Sequence, residues 1–168
     1  RASDIIRFYH SLMGDVPFPA LGLATVAGQF PGGHSPAYLA VVSQPPPEAP
    51  RIWRNDPAAF DHEPDFVLAH EIAHQWWGQA VGWKNYHEQW LSEGFAQYFA
   101  ALYIRHRHGA GDFGDMMRQM RRWAIEHSDQ GPVSLGYRLG HIKNDGRVFR
   151  AVVYNKGAVV LDMLRQIA

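Results

Sequence analysis

The stretch HEIAHQWWGQ, residues 70–79, limits what this chain can be more than any other part of it. On a helix, His70 and His74 lie one turn apart and project from the same face, so their imidazoles can reach one ion together. Glu71 follows His70 directly and points to the side, where it can face a bound water. That is the mechanical content of H-E-x-x-H. Two ligands are too few, because a catalytic zinc takes three protein ligands and keeps one position for water. The third is expected from the next helix. There WLSEGFAQYFA supplies Glu93, with 18 residues between it and His74. That spacing lets the first helix finish, a loop turn, and a second helix return alongside it.

The rest of the composition is compatible with such a site. The 168 residues suit one domain or one large piece of a domain, and 46% of them are hydrophobic, enough for a core. Lys and Arg number 16 and Asp and Glu number 16, so no basic stripe points to nucleic acid and no acidic tail points to disorder. No uninterrupted apolar run approaches the ~18 residues of a membrane span. The first residue is Arg1, not Met, and no signal peptide is visible. The chain therefore reads as excised from something longer, with flanking domains and any targeting segment outside it. Cysteine is absent, which excludes disulfides and thiolate metal sites and identifies no compartment. Ten histidines make imidazole the favoured ligand.

Along the chain, residues 3–13 read as a short amphipathic helix with Ile5, Tyr9 and Leu12 on one face and Ser3 capping its start. FPALGLATVAGQF and AYLAVVS suggest two strands joined by the turn-rich PGGHSP. QPPPEAP, residues 44–50, is expected as an exposed polyproline-like loop. A helix is predicted over 64–81, with Pro64 early and Gly82 near its stop. A second covers 88–108 and ends at Gly109. A third runs from Asp112, its expected cap, to His127. An irregular segment follows, and a last helix covers 148–167. Strands first and helices after make an α+β order. The expected division is a strand-rich part, 1–60, with a short N-terminal helix, and a helical part carrying the zinc site, 61–168. Within the last helix, VVYNKGAVVLDMLRQ puts Tyr154 at the head of an apolar stretch, where a phenol near a zinc site can donate a hydrogen bond to a developing oxyanion.

Taken together, these motifs resemble the gluzincin aminopeptidases, the family of aminopeptidase N and leukotriene hydrolase. Those proteins share H-E-x-x-H, 18 residues and a glutamate within a segment like W-L-N-E-G-F-A; here it is WLSEGFA, with Ser92 at the usual Asn. They also carry a tyrosine in Y-x-K-G, matched by YNKG at 154–157. The resemblance implies a fragment of a thermolysin-like zincin catalytic domain spanning residues 1–168. It implies one zinc ion on His70, His74 and Glu93, Glu71 as general base, Tyr154 as transition-state stabiliser, and a peptide as substrate.

Two departures bear on specificity. The family has G-x-M-E-N on an edge strand, and its glutamate holds the substrate's free amino terminus. This chain has PGGHSPAYLAV there: Gly32 and Gly33 remain, but His34 and Ser35 stand where Met and Glu would be. Gly32, Gly33 and His34 are kept as candidate substrate-binding residues, and the segment Ala37–Val41 as one that can pair with an extended peptide. Seven residues after Glu93 the family often has an acidic residue oriented toward a zinc histidine; here it is Ala100, with Glu88 or a backbone carbonyl as possible substitutes. The expected activity is zinc-dependent, aminopeptidase-like peptide hydrolysis. The alternatives are an endopeptidase or dipeptide-releasing enzyme without strict need for a free amine, and a zinc-stabilised binding domain without turnover.

Overall fold

A computed structural model describes residues 1–27, 33–44, 57–58, 60, 63 and 65–167. The polyproline-like loop falls outside them except for Gln44, and Gly32 and Pro64 fall outside them too.

Helix α1, Ala2–Met13, buries Ile5 and Tyr9 completely. Leu12 is exposed while its neighbour Met13 packs against the core, and the helix stops at Gly14, whose φ of 76° turns the chain away. Ser3 lies inside the helix rather than capping it; the flanking residue is Arg1, with no side-chain cap.

Three strands follow: β1 Gly22–Ala27, β2 Gly33–His34 and β3 Leu39–Gln44, in the order β1-β3-β2. The segment expected as a plain connection thus contains a strand of its own. β1 runs parallel to β3, with Gly22 opposite Leu39 and Ala27 opposite Gln44. β2 returns antiparallel to β3, pairing Gly33 with Val42 and His34 with Val41. A tight turn between them is made by Tyr38 at φ 68°, with Leu39 N–H donating to Pro36 O at 3.1 Å. β3 is therefore the centre of the sheet and already paired on both edges. Val41 is thus flanked by β1 on one side and β2 on the other, so it is not open to an added strand as expected of Ala37–Val41, while Leu39 and Ala40 pair with β1 alone. Among the described residues, the edge of the sheet near Glu71 belongs to β2.

The remainder is helical: α2 Phe66–Ala73, α3 Trp90–His108, α4 Ala110–Glu126, α5 Gly146–Phe149 and α6 Gly157–Ile167. α2 is much shorter than the 64–81 expected. Beyond Ala73 the chain leaves the α pattern: the carbonyls of His74, Gln75 and Trp76 accept from Gln79, Ala80 and Val81, five residues on. Gly78, at φ 119°, then reverses the backbone so that its N–H meets Val81 O at 2.9 Å. A left-handed turn of this kind favours glycine. Gly109 alone separates α3 from α4, so α4 begins before Asp112, which sits in its first turn where a negative charge suits the helix dipole, and not at the cap.

The last helix also departs from expectation. It is three pieces, with a π-helical stretch over Arg150–Lys156 between α5 and α6. Tyr154 lies in that wide turn and not at the head of an α-helix. Asn155, fully buried beside it, anchors the stretch: its Nδ2 donates to Pro57 O at 2.6 Å and its Oδ1 accepts from Gln97 Nε2 at 3.0 Å. π-turns inside helices recur at functional sites.

The core lies among α1, α2, α3 and α4. Ile5 and Tyr9 of α1, Phe66, Ala69 and Ile72 of α2, Ala96, Ala100 and Ile104 of α3, and Met116, Met117 and Met120 of α4 belong to one buried apolar cluster. Tyr9 spans this core and donates to Ala69 O at 3.0 Å. α3 is the central helix, packed on α2, α4 and α6. Small residues on it admit close neighbours, and Gly94 and Gly157 cross so tightly that a Cβ on either would lie 3.0 Å from the other's Cα. A buried Asp162 ties α6 to its neighbours by accepting from Arg121 of α4 (2.7 Å) and the Tyr98 hydroxyl of α3 (3.3 Å), and Arg165, one turn on in α6, donates to it at 3.1 Å. Among the described residues no helix is long and apolar enough to cross a membrane.

Candidate metal centre

α2 and α3 lie side by side and bring one polar cluster into an otherwise apolar interface. His70 is in the last turn of α2. His74 is the residue just past its end and keeps helical angles, φ −60° and ψ −19°, so the one-turn offset of the two imidazoles survives the early helix stop. Glu93 is in the first turn of α3. His70 Nε2 lies 3.1 Å from His74 Nε2. Glu93 Oε2 is 3.4 Å from the first and 3.3 Å from the second. Three donors held tetrahedrally by one ion at about 2.0–2.2 Å would be about 3.3–3.6 Å apart, close to this triangle.

The cluster also has a local need for a cation. Glu93 Oε2 is buried and aligned with no hydrogen-bond donor among the described residues. Such an oxygen is costly unless a positive charge faces it. Burial pushes the Glu93 carboxyl up, but the charge of His74 and the nearby imidazoles outweigh it and hold it far below the usual carboxylate range. Burial likewise pushes His74 down, while the Glu93 and Glu71 carboxylates and the Trp77 carbonyl raise it to about 9. A proton on His74 balances Glu93 where no cation does, and a metal in the triangle takes its place. Two imidazoles and a carboxylate form a donor set that suits zinc.

His74 is oriented from behind. Its Nδ1 lies 3.0 Å from Trp77 O and 3.1 Å from Ser92 Oγ, and the Ser92 hydroxyl donates to the same carbonyl at 3.1 Å. This fixes the proton on Nδ1 and leaves Nε2 for the ion. A backbone carbonyl thus serves His74, whereas Glu88 accepts from its own Lys84 N–H at 2.8 Å. His70 Nδ1 is buried without a hydrogen-bond partner among the described residues.

A profile described as the peptidase family M1 domain matches residues 58–168. The chain belongs to peptidase family M1. It is similar to aminopeptidase Ey of Gallus gallus, 35% identical over 103 residues, which are 58% of this chain and 11% of that protein. It is 36% identical to endoplasmic reticulum aminopeptidase 1 of Homo sapiens over 108 residues, 60% of this chain and 11% of that one. Aminopeptidase M1-C of Oryza sativa subsp. japonica matches over 166 residues at 26% identity, 95% of this chain and 18% of that protein. The chain spans between a tenth and a fifth of these relatives.

The M1 chain gathers the remaining candidates around the triangle. Tyr154 lays its ring parallel to His70, 3° between planes and 5.7 Å between centroids. Burial, then the nearby Glu93 and Glu71 carboxylates, push its phenol well above the usual range, so it stays a donor. Glu71 is buried and its Oε2 accepts from the Ser35 hydroxyl. Gly33 of β2 lies directly on Glu71, and a Cβ there would overlap the carboxylate. His34, one residue on, is exposed. The structure therefore brings His70, Glu71, His74, Glu93, Tyr154 and Gly33 together, with His34 exposed at the next position of β2.

Sequence reasoning missed what holds β2 there. Gln75 is buried; its Nε2 donates to Pro36 O and Leu39 O at 3.2 and 3.3 Å, and its Oε1 accepts from Tyr38 N–H at 3.0 Å. Gln79 Nε2 donates to Ser35 O at 2.8 Å. The available signal was two glutamines framing the apolar WWG directly after His74.

Proposed function

We propose that this M1 chain carries the zinc centre of a peptide hydrolase of aminopeptidase-like chemistry, with His70, His74 and Glu93 holding one ion. The convergence of three ligand atoms on one buried triangle, with Glu71 beside it, carries this reading. Zinc bound there supplies a Lewis acid that polarises a carbonyl and makes a water acidic. The Glu71 carboxylate takes a proton from the attacking water as the water oxygen bonds to the carbonyl carbon. It returns that proton to the nitrogen as the C–N bond breaks. The Tyr154 phenol donates to the oxygen that gains negative charge. Tyr154→Phe is accordingly expected to keep metal and KM and to lower kcat by roughly 10²–10³-fold, the worth of one oxyanion donor. Steady-state kinetics on the full polypeptide check this, and a wild-type kcat would remove Tyr154 from the mechanism.

A looser substrate preference than the names of these aminopeptidases suggest is favoured by one observation. Residues 33–44 contain no carboxylate, and Ser35 is engaged on Glu71. An ammonium bound beside β2 would lose water without gaining an anionic partner from that segment. His34 and Gly33 are proposed to line the substrate there through backbone and imidazole contacts; Gly32, the third candidate, lies outside the described residues. An alanyl-coumarin amide and its N-acetyl counterpart separate the possibilities in the full polypeptide. Comparable rates, abolished together by a chelator, are expected; strict dependence on the free amine would place an anchoring carboxylate elsewhere.

We further propose that residues 1–168 form part of a thermolysin-like catalytic domain, with 1–60 contributing the sheet and 61–168 the metal helices, inside a polypeptide with flanking domains. The small sheet beside α2 and the much greater length of the relatives support this.

A further inference from the structure

We propose that Ser35 is a positioning residue for Glu71, holding one carboxylate oxygen so that the other is presented to the water. The inference rests on Glu71 being the general base. Glu71 comes from the metal helix and Ser35 from the end of β2, 36 positions away in sequence, yet the Ser35 hydroxyl donates to Glu71 Oε2 in a buried contact.

The serine is itself held on two sides. Its own carbonyl accepts from Gln79, and the turn that follows it is clamped by three hydrogen bonds to Gln75. Both glutamines lie just beyond His74, so the segment that grips the general base is fastened to the segment that carries a metal ligand. Gly33 closes the third side, since its lack of a side chain lets the β2 backbone lie on the Glu71 carboxylate. A carboxylate on a flexible stem has two equivalent oxygens and several rotamers. One donor on Oε2, with the Gly33 backbone packed against Cγ, Cδ and the Oε1 side of the carboxylate, reduces these to one orientation. The proton then goes to Oε1, which is free of Ser35, and leaves from it toward the amine nitrogen.

The test uses the full polypeptide and the better of the two coumarin substrates. Ser35→Ala is expected to lower kcat by roughly 10–100-fold, the range for a partner that orients a reacting group, with KM and zinc content unchanged. Ser35→Thr, which keeps the hydroxyl, restores kcat to within about threefold. In a Glu71→Gln background, Ser35→Ala adds no further loss, because the group it orients no longer takes a proton. An unchanged kcat in Ser35→Ala beside an inactive Glu71→Gln overturns the role of Ser35 and leaves that of Glu71 intact. A rise in KM alone makes Ser35 a substrate contact and overturns it, and so does loss of zinc, which makes Ser35 a support of the metal. Full activity in Glu71→Gln removes the general base and the proposal with it. If Ser35→Ala does not fold, Ser35→Cys keeps the size, weakens the donor and reads the same fall in kcat.

Discussion

Glu71→Gln in the full polypeptide is expected to retain its zinc and to lose peptide hydrolysis by roughly 10²–10⁴-fold, the usual contribution of a positioned acid–base group. The amide has the shape of the carboxylate, so packing against Gly33 and the hydrogen bond from Ser35 to the remaining oxygen survive. What is lost is the ability to accept a proton. Zinc content by elemental analysis and kcat on one preparation check both halves. Wild-type turnover with zinc bound would show that another group takes the proton.

Replacing a ligand has a larger effect. His74→Ala removes one corner of the triangle and the imidazole whose charge holds the Glu93 carboxyl down. It leaves two donors where a catalytic zinc needs three. Zinc affinity is expected to fall by more than the 10–100-fold that partners behind the ligands provide, and activity with it. The fold is expected to persist, because His74 lies beyond the end of α2 and the core is made by Phe66, Ala69 and Ile72. Calorimetric zinc titration and a thermal melt separate the two effects. Wild-type affinity in His74→Ala would exclude it as a ligand.

The triangle of His70, His74 and Glu93 was legible because it depends on local periodicity. His74 is four positions after His70 and keeps helical angles, so the early stop of α2 does no harm to the geometry. Glu93 was legible because its distance along the chain suits a helix that returns beside its predecessor. The true length of α2 was hidden, since Trp76, Trp77, Ala80 and Val81 sustain an apolar pattern while only Gly78 marks the reversal. β2 was hidden because two residues carry no period and two glycines read as a turn. The π-helical setting of Tyr154 depends on Asn155 reaching Gln97 and Pro57, contacts across 58 and 98 positions that no local pattern records. The grip of Ser35 on Glu71 is of the same kind. In sequence Ser35 showed only as an absent carboxylate, and its partner became visible once β2 was folded against α2.

The central claim is that one zinc ion sits among His70, His74 and Glu93 in this chain. Anomalous diffraction at the zinc edge, on crystals grown near neutral pH so that the imidazoles can give up their protons, tests it most directly. One peak about 2.0–2.2 Å from His70 Nε2, His74 Nε2 and a Glu93 carboxylate oxygen is the predicted result. A crystal offered zinc at that pH that shows no peak in the triangle, or shows its peak elsewhere, would contradict it.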